Sequence, residues 1–192
     1  IYKPQKNLAI IQKKLSYILD INYNVHTNAH GFTSNRSIKS NASTHLKSKN
    51  VLNLDLENFF ESISFGRVIT MFKSYFGFNK NVAATLANIC CHYEGFLPQG
   101  SAVSPIISNI IAFRLDKEFT KLAKRYHCTY TRYADDITFS TKKSTFPEKL
   151  AIKIYSDVQI SQEIKTIIEK NGFKINDEKI RLDSQSSRMS VT

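Results

Sequence analysis

The sequence of 192 residues has few cysteines, few prolines and glycines, and no long apolar run. Every apolar stretch is soon interrupted by Lys, Asn or Gln, which excludes a membrane-spanning helix of about 20 apolar residues. Residues 1–20 carry repeated polar breaks and no small-residue cleavage site, so they do not match a secretory signal peptide. No repeat and no Pro- or Gly-rich linker divides the chain, which predicts one domain or one domain of a longer chain.

The cysteines Cys90, Cys91 and Cys128 are an odd and sparse set. They form neither a disulfide framework nor a zinc pair, and they fit a reducing compartment. We therefore expect a cytoplasmic protein without a membrane partner. Position 1 is not methionine, and we expect the chain to begin inside a larger protein. Hydrophobic residues make up 42%, enough for a core, so wholesale disorder is excluded.

Acidic residues are scarce, 16 against 27 basic ones. Residues 1–50 hold eight basic residues and one acidic residue, whereas residues 51–100 hold three and four. A basic segment followed by a near-neutral one indicates a polyanion bound by one part while chemistry occurs in another. From charge alone, a soluble basic protein with a Lys-, Asn- and Ile-rich composition is an equal alternative.

Helical and strand patterns are mixed along the chain. The helices are predicted around residues 8–18, 34–46, 64–77, 80–92, 104–125 and 148–170. The strands are predicted over 51–55, 128–133 and 137–141, with short ones near 173–176, 179–182 and 188–192. Helices combined with antiparallel strand signals predict an α+β fold.

Three aspartates stand where strands end. Asp55 closes an apolar strand, and Asp135 and Asp136 form the tip of a predicted hairpin. Adjacent carboxylates repel each other unless a cation intervenes, and Mg²⁺ prefers carboxylate oxygens. If the hairpin pairs beside the strand, these groups converge across about 5 Å and could hold two ions for phosphoryl transfer. The alternative is a solvated Asp-Asp turn and an unrelated strand-end aspartate.

Four motifs in order then resemble one family. Residues 130–140, centred on Tyr-Ala-Asp-Asp at 133–136, resemble the catalytic hairpin of reverse transcriptases. Residues 53–60 (Asn-Leu-Asp-Leu-Glu-Asn-Phe-Phe) resemble its first palm motif. Residues 97–101 (Leu-Pro-Gln-Gly-Ser) resemble its Pro-Gln-Gly motif. Residues 172–176 (Gly-Phe-Lys-Ile-Asn), with Lys179, resemble the next palm segment.

Two shorter elements point to one branch of that family. Residues 41–45 (Asn-Ala-Ser-Thr-His) are similar to the Asn-Ala-x-x-His element of bacterial retron reverse transcriptases, and Val-Thr at 191–192 is similar to the start of their Val-Thr-Gly element. The resemblance implies a right-hand polymerase whose antiparallel palm sheet packs on helices. Its fingers would occupy residues 1–50 and its palm residues 51–192, with a fingers insertion near 78–100 and no thumb.

The resemblance also implies roles for the acidic residues and one lysine. Asp55, Asp135 and Asp136 would hold two Mg²⁺ ions, with Mn²⁺ as a substitute, and the Leu56 carbonyl would be a backbone ligand. Lys179 would act with them as a catalytic residue by protonating the leaving pyrophosphate; its alternative is a solvated charge.

Further roles concern the nucleotide and the RNA. Phe60 stands at the steric-gate position that disfavours a ribose 2′-hydroxyl, with a core phenylalanine as the alternative; Gln99 and Gly100 would contact the incoming nucleotide and template. The residues implied to bind RNA are Arg36, Lys39, His45 and Lys47. A solvated basic face is the alternative for the charged ones, and His45 either orders the fingers or touches RNA.

The implied function is RNA-directed DNA synthesis by a nucleotidyltransferase of the retron type. It would copy part of a structured non-coding RNA into single-stranded DNA linked to that RNA (msDNA), in antiviral defence. The expected partners are the RNA template and primer, deoxynucleoside triphosphates, the nascent DNA and a retron effector protein. The alternatives are a group II intron, diversity-generating or abortive-infection reverse transcriptase, a carboxylate-metal nuclease, and a catalytically silent RNA-binding module.

Overall fold

A computed structural model describes residues 1–155, 157–185 and 190–191. The helices and strands, in chain order, are α1 (Lys6–Ile21), α2 (Ile38–Thr44), β1 (Asn50–Asp55), α3 (Phe65–Ser74), α4 (Lys80–Cys90), α5 (Ser104–Arg125), β2 (Thr129–Tyr133), β3 (Asp136–Thr141), β4 (Ala151–Ile154), β5 (Asp157–Ile160), α6 (Gln162–Lys170) and β6 (Arg181–Ser184). A 3₁₀ turn spans Asp177–Lys179. No helix among the described residues is both long and apolar enough to cross a membrane.

The chain forms two compact units. A helical unit comprises Ile1–Val25 and Asn58–Phe113, and a sheet unit comprises His26–Glu57 and the described residues from Arg114 onward. These units are defined by contacts, whereas the predicted division into fingers (1–50) and palm (51–192) is functional and stays a prediction.

The helical unit is built on capped amphipathic helices. Ser64 begins α3 by accepting a hydrogen bond from the Arg67 amide, and Asn79 begins α4 in the same way. A hydroxyl or amide oxygen at this position satisfies one of the unpaired N–H groups of the first turn. The two helices bury mostly apolar residues, including Val68, Met71, Phe72, Ala83 and Ala87.

The sheet unit contains a four-stranded antiparallel sheet of order β2-β3-β1-β6. All six residues of β1 are buried, because β1 lies between β3 and β6 and is covered on both faces. A strand buried in this way reads as a nearly continuous apolar run, which is how it was recognisable in the sequence. Phe119 of α5 packs on Tyr130 and Phe139, with ring centroids 5.5 and 5.2 Å away. The predicted α+β class is confirmed.

Two predicted helices differ from the structure. The predicted start at Ser34 is wrong: Ser37 caps α2 through a reciprocal capping box with Ser40, and the helix ends at Thr44. The predicted helix over 148–170 is also wrong, because β4 pairs with β5 in antiparallel register before α6 begins. Tyr155 has a φ of 55°, which a continuous helix does not allow, and Ser161 supplies a new cap.

The short strands near the end of the chain were predicted only in part. Ile175 pairs with Leu56 through a single bridge, and β6 begins at Arg181 after the 3₁₀ turn. Within the strand predicted over 188–192, residues 188, 189 and 192 lie outside the described residues, and the described residues 190 and 191 are not in a strand. The Thr of the Val-Thr element is residue 192 and lies outside the described residues too.

Candidate active site

The pairing of β1 with β3 brings the three aspartates to one edge of the sheet. Asp55 is the last residue of β1 and lies directly opposite Asp136, the first residue of β3. The Leu56 amide donates to the carbonyl of Asp135 at 3.1 Å, which extends the pairing into the turn. We call Asp55, Asp135 and Asp136 the acidic edge. Backbone register alone is sufficient to assemble it.

A third segment holds Asp55 from the other side. The Asn176 amide donates to the Asp55 carbonyl, and the Glu57 amide donates to the Lys174 carbonyl, both at 2.9 Å. Residues 172–176, recognised as a separate motif in the sequence, therefore lie beside the end of β1. The backbone of Asp55 is fixed between two neighbouring segments.

Lys179 reaches the acidic edge from the 3₁₀ turn. Its Nζ lies 3.0 Å from Asp55 Oδ2, and its side chain is 61% exposed while that of Asp55 is 11% exposed. The hydrogen bond and the charge of Asp55 raise the pKa of Lys179. A polar cleft of about 320 Å³ opens here, lined by Asn53, Leu54, Asp55, Asp136, Glu178, Lys179 and Arg181.

The carboxylates of the acidic edge are crowded. Burial, followed by the charges of Asp135 and Asp55, raises the pKa of Asp136 to about 6. Burial also raises the pKa of Asp135, with a further contribution from the charge of Asp55. Like charges held together in this way favour a bound cation, since a cation stabilises every ionised carboxylate near it.

The chemistry of these donors fits a hard divalent cation, although in this structure their side chains are not arranged around one ion position. Carboxylate oxygens are the ligands that Mg²⁺ prefers. Among the residues that the structure describes, however, no group of three or more His, Cys, Asp or Glu side chains is arranged to hold a metal ion. The carboxylate of Asp55 is paired with Lys179 instead. The assignment of Asp55, Leu56, Asp135 and Asp136 as ligands stays a prediction.

The three residues predicted to contact the nucleotide lie in the helical unit. Phe60 is half-buried, and its ring packs edge-on against the buried Phe59 with centroids 5.4 Å apart. Gln99 is exposed, and its carbonyl accepts from the Tyr2 amide at 2.8 Å. Gly100 has a φ of 108°, and a Cβ there would lie 2.6 Å from the Tyr2 carbonyl oxygen. Only glycine fits this position. Their nucleotide contacts stay predictions.

The four residues predicted to bind RNA separate into two groups. Lys39 and Lys47 are exposed. Arg36 is used within the protein, since its Nη1 donates to the carbonyls of His26 and Ala29 at 2.9 and 2.5 Å.

His45 is buried, at 5% exposure, and both ring nitrogens are engaged. Nδ1 lies 2.7 Å from Ser140 Oγ, and Nε2 lies 2.7 Å from Thr131 Oγ1. Burial, with a smaller effect of His30, lowers the pKa of His45 to about 4. This burial favours the ordering role over a direct contact with RNA.

Sequence reasoning missed a buried network beneath the hairpin. Asp116 and Arg132 are both fully buried and form a bidentate pair, with both nitrogen–oxygen distances 2.8 Å. The Tyr130 hydroxyl donates to the same carboxylate at 2.7 Å. A signal was present, since Asp116 shares the apolar face of α5 with Ala112 and Phe119 at helical spacing. A charge at such a position requires a buried partner.

Comparison with known proteins gives consistent results. A family model described as reverse transcriptase (RNA-dependent DNA polymerase) matches residues 4–190. The chain is 34% identical over 209 residues to the Retron Mx65 reverse transcriptase of Myxococcus xanthus, covering 100% of this chain and 46% of that protein. It is 34% identical over 193 residues to the Retron Ec86 reverse transcriptase of Escherichia coli, covering 100% and 56%. The chain thus spans about half the length of these curated relatives.

Solved structures share the fold at low sequence identity. A telomerase from Candida albicans, in complex with a TWJ fragment of telomeric RNA, matches with a TM-score of 0.58 and 11% identity, over 95% of this chain and 35% of that one. An apo telomerase from Candida tropicalis, truncated from its C-terminal domain, matches with a TM-score of 0.55 and 12% identity, over 96% and 41%. The predicted right-hand polymerase fold is confirmed.

Proposed function

This chain belongs to the reverse transcriptase family, and we propose that it supplies the catalytic aspartates of a retron-type RNA-directed DNA polymerase. The proposed reaction is the transfer of a deoxynucleotide to a primer hydroxyl, with release of pyrophosphate. The observation that carries the proposal is the register of β1 and β3, which sets Asp55 opposite Asp136 and beside Asp135. Three carboxylates at one sheet edge match the chemistry of metal-dependent phosphoryl transfer.

The family uses divalent metal ions, and for this chain we propose two Mg²⁺ ions, replaceable by Mn²⁺. The residues that would hold them are Asp55, Asp135, Asp136 and the Leu56 carbonyl. Such ions, when bound, lower the pKa of the attacking hydroxyl and neutralise the triphosphate. Because Asp55 pairs with Lys179 in this structure, its carboxylate has to turn from the ammonium towards the other two aspartates.

Lys179 is the proposed general acid. A lysine ammonium is protonated at neutral pH, and Nζ lies beside the acidic edge, where the pyrophosphate would leave. Its 61% exposure leaves the ammonium accessible to a substrate. A positioned acid commonly contributes about 10²–10⁴-fold to a rate.

Phe60, Gln99 and Gly100 are the proposed nucleotide contacts. A half-buried Phe60 fixed against Phe59 suits a rigid wall that excludes a ribose 2′-hydroxyl. Replacing Phe60 by alanine is then expected to admit ribonucleotides about tenfold more readily, by analogy with the discrimination that pocket shape supplies. Unchanged sugar selection would remove this role.

The proposed template is a structured non-coding RNA, copied into single-stranded DNA that stays linked to it. The support is the similarity to retron enzymes, the Asn-Ala-x-x-His element at 41–45 and the excess of basic residues in residues 1–50. Lys39 and Lys47 are the exposed candidates for phosphate contacts. A role in antiviral defence with an effector protein, and a cytoplasmic location, belong to the same proposal.

Primer extension by the full-length protein tests the proposed chemistry. Asp135→Asn is expected to lower Mg²⁺-dependent incorporation by about a thousandfold or more, because a catalytic ion contributes several kcal/mol to the transition state. RNA binding should persist. Asp157→Asn, at an exposed position of strand β5, is the matched control and should extend primers normally.

Three outcomes would change the assignment. Near-normal extension by Asp135→Asn would refute the metal role. Cleavage of the RNA or DNA backbone without incorporation would indicate the carboxylate-metal nuclease. RNA binding by the unaltered protein, with neither reaction, would indicate a catalytically silent module.

A further inference from the structure

The turn that carries Asp135 has a backbone conformation that its own sequence does not favour. Ala134, which precedes Asp135, has a φ of 56°. This left-handed region is disfavoured for any residue with a Cβ, and it persists only where the surroundings impose it. The surroundings of Ala134 are therefore part of what positions the acidic edge.

Beneath the turn, Arg132 is fixed and directed at the Ala134 carbonyl. Its Nε and Nη2 donate to the two oxygens of Asp116, each at 2.8 Å, and its Nη1 donates to the Ala134 carbonyl at 2.9 Å. Tyr130 holds the same Asp116 carboxylate through its hydroxyl. Since Arg132 and Asp116 have no exposed side-chain surface, the guanidinium has one orientation available.

A second support comes from residues 28–31, which run beside β2. The Arg132 amide donates to the Asn28 carbonyl at 2.8 Å, and the His30 amide donates to the Arg132 carbonyl at 2.7 Å. Gly31 then meets the turn itself: a Cβ at Gly31 would lie 2.4 Å from the Ala134 nitrogen. The backbone of residue 31 therefore lies too close to the turn for any residue that carries a Cβ.

We propose that the Asp116–Arg132 pair and Gly31 are positioning elements that hold the turn 133–136 so that Asp135 and Asp136 can bind metal. A buried ion pair is weak as a source of stability, because desolvation offsets the attraction, so fixing one conformation is the better account of its use. Residues that orient metal ligands through hydrogen bonds commonly affect metal affinity or activity by 10–100-fold. The proposal rests on the proposed function, which assigns these aspartates as ligands.

The sharpest test compares two glycines in the full-length protein. Gly31→Ala places a methyl group against the turn, whereas at Gly66, in α3, a Cβ would meet only Ser64 Oγ at 3.9 Å. The affinity for Mn²⁺, measured from the paramagnetic resonance signal of the free ion, should fall about tenfold in Gly31→Ala. The Mg²⁺ concentration for half-maximal primer extension should rise by a similar factor. Gly66→Ala should match the unaltered protein in both.

Arg132→Lys separates positioning from general destabilisation. Lysine keeps the charge facing Asp116, but it lacks the planar fork that reaches both the carboxylate and the turn. We expect Mn²⁺ binding to weaken at least tenfold at a temperature where the variant is folded. Ile164→Ala, a cavity variant at a fully buried position of α6, serves as the stability control: it should lower the thermal midpoint and leave Mn²⁺ affinity unchanged.

The outcomes distinguish this inference from the proposed function. Lowered thermal midpoints with unchanged Mn²⁺ affinity in both Gly31→Ala and Arg132→Lys would overturn the positioning role alone. An unaltered protein that binds Mn²⁺ without incorporating nucleotides would overturn the polymerase assignment, and Mn²⁺ affinity would still decide the positioning role. An unaltered protein that binds no Mn²⁺ would overturn both.

Discussion

The acidic edge and the basic residues between positions 36 and 47 belong to the same unit, but their charged side chains have different surroundings. At the acidic edge, strand pairing holds like charges together, and burial, followed by the charges of Asp135 and Asp55, raises the pKa of Asp136 to about 6. Between positions 36 and 47, Lys39 and Lys47 face solvent, while Arg36 donates hydrogen bonds to backbone carbonyls. Like charges that a fold holds together despite their repulsion indicate a functional site. In a run of basic residues, by contrast, each side chain has to be assigned separately to solvent or to a contact within the protein.

The largest effect on activity is expected from replacing Lys179, the cation beside the acidic edge. Lys179→Met should lower single-turnover nucleotide incorporation by about 10²–10⁴-fold, the usual contribution of a positioned general acid. Stability is measured in the same variant, because the Asp55 carboxylate, only 11% exposed, loses its ion-pair partner. Lys170→Met, at the exposed end of α6, is the matched control. A loss similar to that of the control would reduce Lys179 to a counterion of Asp55.

A pH-dependent loss of stability is expected from His45. Its pKa in the folded protein is about 4, against 6.5 for an ordinary histidine. Above pH 6.5 both states are neutral; as the pH falls towards 4, only the unfolded state takes up the proton. The free energy of unfolding should therefore fall by about 3 kcal/mol between these values.

Urea unfolding of the full-length protein at a series of pH values measures this pH dependence of the free energy of unfolding. His45→Gln should flatten the acid-side slope. His127→Asn is the control: asparagine tolerates the φ of 56° at this exposed position, and the acid-side slope should equal that of the unaltered protein. An unchanged slope in His45→Gln would show that the histidine does not act as a buried neutral group.

The smallest effect is expected where the basic side chains face solvent. The double variant Lys39→Gln/Lys47→Gln should weaken RNA binding by about tenfold and reduce the salt dependence of log K by about two, one for each phosphate contact. Arg36→Gln should leave the salt dependence unchanged, since Arg36 bonds to the protein itself. Fluorescence anisotropy with labelled RNA over a salt series measures both. Equal salt dependence in all three proteins would assign the lysines to a solvated surface.

The acidic edge was predictable because its geometry follows from local pattern. An apolar run ending in Asp55 and a hairpin ending in Asp-Asp have few ways to pair, and antiparallel register then places the acids together. The hairpin β4-β5 was not predictable in this way, because Ile152, Tyr155 and Val158 recur at a spacing that also suits a helix face. A short apolar pattern leaves the two structures undecided.

The burial of individual charged residues was less predictable still. Arg132 and Asp116 lie 16 residues apart, and the packing of β2 on α5 brings them together. Arg36 stands among basic residues that also suit a solvated face, yet its guanidinium bonds to backbone carbonyls. His45 follows in the same polar stretch and is buried. Motif resemblance located the proposed reacting groups, but the residues that support them depend on tertiary packing, which the spacing of residues in the sequence does not show.

The central claim is that Asp55 and the Asp135-Asp136 turn bind the same metal. Fe²⁺ placed in the Mg²⁺ site of the full-length protein, with ascorbate and peroxide, cuts the backbone closest to the ion. We predict cuts at both residue 55 and residues 135–136, suppressed together by excess Mg²⁺ and absent in Asp135→Asn. Cuts at only one of the two segments, or cuts that Mg²⁺ does not suppress, would contradict it.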